Sequence, residues 1–333
     1  MAEEAEGAQG PAGSPRDAAG PGAPGSGSPE ARPRATTRPA TPTSWAERPD
    51  GYRARLARRV CAAALGVLLT GSLAWTALYS PAGQALDTVL MESLTAWNGA
   101  LGGLGTVVTG LVSVEASVVV SAVVVVIAVV RRRPTLAGRA LGVVVGANAT
   151  TQLLKAALDR PDLGVVTVLD NSLPSGHVTF AASVSLALVM VAPEWSRTAA
   201  AWLGWAWTSL MGITVMVDAW HRPADVVTAV AIAGVWALAL CPMEHCERHG
   251  SPARRIMGAV ALALVVLAVV GVVVGIAGTD LVGRGVSGGA GYGFASYLAA
   301  HPWRERLLAL CSAALVTGVV GIVVHEVDRL SWS

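Results

Sequence analysis

From Leu56 onward the chain alternates between long apolar runs, each near the roughly 20 residues needed to cross a hydrocarbon core, and short connections that collect most of the charge. The pattern predicts eight membrane-spanning helices, at about 57–79, 108–130, 136–157, 177–193, 198–218, 223–241, 256–277 and 305–325. The expected fold is therefore an all-α polytopic membrane helix bundle, with six spans in a core over 51–242 and two more spans in 243–333. Between the first two runs, "PAGQALDTVLMESLTAWNGALGGLGT" at 81–106 is mixed in polarity and reads as an interfacial helix with a glycine-rich turn. Residues 1–50 carry Pro, Gly, Ala and Ser without apolar periodicity and bury too little surface to offset ordering entropy, which predicts a disordered tail.

Charge then orients the bundle. Alternate connections hold Arg53, Arg55, Arg58 and Arg59, then Arg131, Arg132, Arg133 and Arg139, then Arg197, then Arg248, Arg254 and Arg255, with Arg329 after the last span. By the positive-inside rule this set is cytoplasmic, with both termini, and the opposite set faces outward. Over the 333 residues, 53% are hydrophobic and the formal charge is only +2, which leaves no basis for nucleic-acid binding. The four cysteines are too scattered for a disulfide framework. Cys61 and Cys311 read as small buried hydrophobes, and Cys241 and Cys246 beside His245 and His249 match no common zinc spacing, so an ordinary reduced loop is expected. Gly142 with Gly146, and Gly271 with Gly275, predict close helix packing. Glu115, near the outer part of the second run, is a functional candidate or an interfacial residue.

Three stretches share the outward face. "LLKAALDRPDLG" holds Lys155 and Arg160, "LPSGH" opens the fourth span with Ser175, Gly176 and His177, and "DAWHRPADVV" opens the sixth with His221, Arg222 and Asp225. A helix N-terminus is a ready anion site, and Gly176 allows the backbone to approach a phosphate closely. Lys155 and Arg160 add positive charge, and an arginine can grip phosphate oxygens through a fork of N–H groups. Asp225, four residues after His221, is placed to accept from one imidazole nitrogen and leave the other as a nucleophile. His177 is then the candidate general acid for the departing oxygen.

These stretches, in this order, resemble the type 2 phosphatidic acid phosphatase (PAP2-like) superfamily of integral membrane lipid phosphatases. That family's signature is a Lys followed by Arg-Pro, then Pro-Ser-Gly-His, then Ser-Arg ahead of a His and an Asp. Lys155 with Arg160-Pro161, the complete Pro174-Ser175-Gly176-His177, and His221 with Asp225 carry the resemblance. It implies a metal-independent phosphohistidine mechanism without a cofactor, and a site facing away from the cytoplasm. Catalytic roles fall to His221, His177 and Asp225, and phosphate binding to Lys155, Arg160, Ser175 and Gly176. Two departures stand out. Only four residues separate Lys155 from Arg160, against the usual six, and Thr214-Val215 occupies the place of the Ser-Arg pair. Arg222 is the candidate substitute for the missing arginine.

The expected protein is a multi-pass plasma-membrane lipid phosphatase. Its partners would be the bilayer and a lipid phosphate: a polyprenyl phosphate or diphosphate such as undecaprenyl diphosphate, phosphatidic acid, or phosphatidylglycerol phosphate. The absent arginine keeps two alternatives open, a lipid phosphotransferase and a non-catalytic relative that binds lipid phosphates. The outward connection "GTDLVGRGVSGGAGYGFASYLAAHPWRER" reads as a flexible link with Tyr297 and Trp303 as interface anchors, or as a lid using Arg284 or His301.

Overall fold

The apolar runs become helices, and several start on a proline, whose fixed φ and missing N–H suit a first turn. The computed structural model describes residues 52–110, 134–165, 170–242, 252–287 and 293–330, with isolated positions 119, 122, 123 and 126. In chain order the helices are α1 (Tyr52–Tyr79), α2 (Pro81–Thr95), α3 (Asn98–Gly110), α4 (Pro134–Ala157), α5 (Gly176–Val191) and α6 (Glu194–Val217). They continue with α7 (Pro223–Leu240), α8 (Pro252–Ile276), α9 (Leu281–Ser287), α10 (Ala295–Ala300) and α11 (Pro302–Leu330). Among the described residues there is no strand. Helices α1, α6, α7, α8 and α11 are long and apolar enough to cross a membrane, and α5 is a shorter apolar helix. The protein is an all-α polytopic helix bundle. The tail 1–50, Glu115, Arg131–Arg133, His245, Cys246 and His249 lie outside the described residues, as does most of the expected second span.

Burial ranks the helices. The apolar window of α7 is 78% buried, against 6% for α1 and 17% for α8, so α7 is the central helix and the other two turn most of their surface outward. Small residues let neighbours approach: a Cβ at Gly146 would fall 2.6 Å from the Trp236 ring of α7, and one at Gly142 2.9 Å from Leu240. Gly271 and Gly275 give α8 the same close fit against Cys311 and Leu308 of α11. Cys311 is buried as expected, whereas Cys61 is exposed, because it lines an open apolar groove between α1 and helices α7, α8 and α11.

The two ends of the bundle are closed differently. At the lower end, where α1 begins, Arg59 donates to the Cys241 carbonyl at 2.9 Å and Arg58 pairs with Glu326. At the upper end, α2 crosses the helix tips and is pinned along its length. Ser80 caps its first turn by accepting from Gly83 N–H, and Gln84 Nε2 donates to the Leu78 and Pro161 carbonyls. Asp87 accepts from Ala224 N–H at 2.8 Å and Glu92 accepts from Phe294 N–H at 2.9 Å, while just beyond α2 the first residue of α3, Asn98, donates to the Val217 carbonyl.

Two expectations about the upper end need correction. The glycine-rich segment expected as a turn is helical as α3, which packs along α6. Tyr297 is not an interface anchor: it is buried with Phe294 and Leu298 against Ala85, Val89 and Leu90 of α2, because this helix needs an apolar cover on its upper side. Trp303 remains exposed. His301 sits inward, its Nδ1 2.9 Å from the Tyr297 carbonyl oxygen, and Arg284 stacks over the Tyr297 ring.

Candidate functional site

The site is assembled from two helix starts and a loop. Ser175 is the N-cap of α5, accepting from Val178 N–H at 3.4 Å, and its own N–H donates to the Asp225 carbonyl at 3.2 Å. That bond ties the Pro-Ser-Gly-His turn directly to the first turn of α7. Thr151 on α4 and Thr179 on α5 share a hydroxyl hydrogen bond of 2.8 Å one turn below, which holds the two helix ends side by side. The Cβ position of Gly176 faces open space apart from Gln152 Nε2 at 3.9 Å, so its backbone is accessible.

The turn before α7 is built around Asp225. Its Oδ2 accepts from Arg222 N–H at 2.9 Å and from Ser172 Oγ at 2.6 Å, and lies 3.3 Å from His221 Nδ1. An aspartate at the third helical position that reaches back to the N-cap N–H is half of a capping box, so one carboxylate both starts the helix and orients the imidazole. His221 Nδ1 faces the carboxylate, and Nε2 is the nitrogen left to act elsewhere. Two further backbone bonds fix His221 from behind: its N–H and that of Trp220 both donate to the Val215 carbonyl, at 3.1 and 3.0 Å.

Positive charge surrounds this turn. Arg222 is 3% exposed, and its Nη1 donates to Ser172 Oγ at 3.2 Å, so Ser172 bridges Arg222 to Asp225. Arg160 is 6% exposed, yet Nε, Nη1 and Nη2 all lack a hydrogen-bond partner among the described residues. Burial and the neighbouring Arg222 charge pull the Arg160 pKa below its ordinary value, while Asp87 and Asp225 oppose that shift. An arginine in this state is short of anionic acceptors. Lys155, half-buried in the last turn of α4, and His221 both lie within electrostatic reach of His177. The His177 ring, half-buried at the start of α5, rests 5.9 Å from that of Trp220, which is exposed.

Every residue singled out for chemistry in the sequence thus falls at the upper end of the bundle: His221, His177, Asp225, Lys155, Arg160, Ser175, Gly176 and Arg222. Val215, in place of the family arginine, is fully buried in the main apolar core with Met211 and Met216. Position 215 therefore serves packing and, through its carbonyl, the His221 turn. Asp218 lies just beyond α6, accepts from Asn98, and is pushed to a higher pKa by burial.

Sequence reasoning missed Asp87 and Ser172. Asp87 Oδ1 holds Ala224 N–H at the start of α7, whereas Oδ2 is buried without a partner. Burial first, and the Asp225 charge second, push its pKa up to about 7, against the lowering effects of the Ala224 bond, Arg222 and Arg160. The available signal was an aspartate set in the otherwise apolar "ALDTVLM".

The class defined so far is a multi-pass, all-α membrane protein with a buried, cation-rich polar cluster at one end of its bundle. The family model of the PAP2 superfamily matches residues 111–245, less than half of the chain but including all three motif stretches. No curated protein and no solved structure matches the chain. Helices α1 to α3 and α8 to α11 lie outside the matched segment, and so does Asp87.

Proposed function

We propose that the protein is a membrane lipid phosphatase that removes a terminal phosphate from a lipid phosphomonoester or diphosphate at the extracytoplasmic face. The observation that carries this reading is Arg160, a buried guanidinium with three unpartnered nitrogens beside Arg222 and the His221–Asp225 pair. A phosphate supplies the several acceptors that such a group lacks.

In the proposed cycle, His221 Nε2 attacks phosphorus and the bond to the lipid oxygen breaks, while His177 donates a proton to that departing oxygen. Asp225 stabilises the charged imidazole through Nδ1. Water then attacks the phosphohistidine, with His177 now accepting its proton, and phosphate leaves. Arg160, Arg222, Lys155 and the N–H groups at the start of α5 offset the charge on the phosphoryl oxygens. No step calls on a metal or a cofactor. The positive-inside distribution of arginines supports a site on the outer side with both termini in the cytoplasm. A headgroup phosphate lies at the depth of helix ends, so the substrate would enter laterally from the bilayer. Among such lipids, polyprenyl carriers fit an extracytoplasmic site best.

Val215 favours one second reading, a relative that binds or transfers lipid phosphates without hydrolysing them. Phosphate release from a polyprenyl diphosphate and from phosphatidic acid, in detergent with EDTA present, separates the two. Hydrolysis predicts chelator-resistant release that is lost in His221→Ala by about four orders of magnitude or more. Tight binding of these lipids with no phosphate released by the wild type overturns the hydrolytic reading.

A further inference from the structure

The candidate site contains two orphaned groups of opposite type. Arg160 has three nitrogens without partners, and Asp87 has one oxygen without a partner, yet the two form neither a hydrogen bond nor an ion pair. Both are more than nine-tenths buried. Asp87 is also held firmly: its Oδ1 binds the N–H of Ala224, one residue before Asp225, so its free oxygen is fixed beside the turn that carries His221. The helix that supplies it, α2, lies outside the segment matched by the family.

We propose that Asp87 is a phosphate-binding residue of this site, whose Oδ2 carries a proton and donates it as a hydrogen bond to a phosphoryl oxygen. The proposal rests on the phosphatase reading of the same site and adds a ligand to it. Charge favours the donor role. A phosphate drawn in by Arg160 and Arg222 brings only acceptor oxygens when fully ionised, and a carboxylate facing them would be repelled. A neutral carboxyl turns that repulsion into a hydrogen bond, and one more donor partly replaces what Val215 cannot provide.

The electrical surroundings agree. Asp87 titrates near 7, and the charges that shift it are Asp225, Arg222 and Arg160. Other ionisable groups at the upper end are Tyr79 on α1, Glu92 on α2, Lys155 on α4, Asp159, Asp162 and Asp170 in the loop before α5, His177, Asp218 after α6, His221, Asp280 and Arg284 around α9, Tyr297 and His301 on and after α10, and Arg304, Glu305 and Arg306 on α11. None of these is among the groups that shift it. A bound phosphate adds negative charge and raises the Asp87 pKa further. Binding is therefore strongest when Asp87 is protonated and weakens as pH rises through and above 7.

Ligand-free stability follows the same proton. Because the folded carboxyl holds its proton up to about 7 and the unfolded one releases it near 3.8, stability falls as pH rises across that window.

Asp87→Asn preserves the bond to Ala224 through its amide oxygen and presents N–H groups where the proton sat, so it mimics the neutral acid at every pH. The test is the thermal stabilisation of the purified full-length chain by inorganic phosphate at pH 6 and pH 8.5, comparing wild type, Asp87→Asn and Asp87→Ala. Wild type should lose phosphate affinity by about tenfold or more relative to Asp87→Asn between the two pH values. Asp87→Ala should bind weakly at both.

An Asp87→Asn variant with the wild-type pH dependence, or an Asp87→Ala variant that binds phosphate as the wild type does, overturns the proposal. The outcome is separable from that of the phosphatase reading. Phosphate binding that depends on Asp87 without lipid hydrolysis would sink the reading alone. Hydrolysis that depends on His221 with no effect of Asp87→Asn on the pH profile would sink only the role of Asp87.

Discussion

Two buried arginines at opposite ends of the bundle show what distinguishes a structural charge from one placed for a ligand. Arg197, in the first turn of α6 at the lower end, is 1% exposed, and its Nε and Nη2 both donate to the Ala192 carbonyl, at 3.3 and 3.1 Å. Its partner is the chain itself, and its work is to close the turn between α5 and α6. Arg160 at the upper end is almost as buried and binds nothing in the protein through its guanidinium. Leaving a cation in that condition costs stability, which a fold tolerates where something else completes the shell. The comparison teaches that burial alone does not mark a functional charge, whereas burial combined with unmet hydrogen-bonding capacity does.

The largest expected effect is the loss of activity in His221→Ala, which tests whether the upper end performs chemistry at all. Next, Arg160→Met should lower phosphate release by about 10²- to 10³-fold, while thermal stability stays level or rises, because an unpaired buried cation is replaced by an apolar chain of similar length. Steady-state kinetics with a melting curve reads both. Restoring the family residue by Val215→Arg should fail: the side chain would enter the apolar core, cost about 3 kcal/mol or more in stability and add no activity. Expression level and melting temperature report that outcome directly.

Arg197→Met should show the reverse of Arg160→Met. Stability should fall by about 1–3 kcal/mol, as the Ala192 carbonyl loses its donor, with activity per folded molecule unchanged. The smallest effect is expected from Ser172→Ala. Its hydroxyl links Arg222 to Asp225, so its removal should cost about 1 kcal/mol and a few-fold in turnover.

Much of the fold and of the site's membership was legible in the sequence. The apolar runs predicted an all-α bundle, of which five helices among the described residues are long and apolar enough to cross a membrane, and the positions of Lys155, Arg160, Ser175, His177, His221 and Asp225 at the ends of those runs put them together at one end, where the structure also has them. The difference between Arg160 and Arg197 was not legible, since both are single arginines at a helix boundary. Only the fold shows that the Ala192 carbonyl lies within reach of one and that the other has no hydrogen-bond partner among the described residues.

Asp87 escaped notice for a related reason. It belongs to a helix of mixed polarity whose crossing over α7 depends on tertiary contacts at Gln84 and Glu92, and no local pattern encodes that crossing. Likewise the glycines of α3 suggested a turn by their intrinsic propensity, which packing along α6 overrides.

The account's central claim is that Arg160 is held for a phosphate, and the most direct measurement is the melting temperature of the full-length chain titrated with inorganic phosphate at pH 6. The wild type and Arg197→Met should both be stabilised by phosphate, the second from a lower starting point, while Arg160→Met should start at or above the wild type and gain nothing. Equal stabilisation of Arg160→Met and wild type by phosphate would contradict the claim.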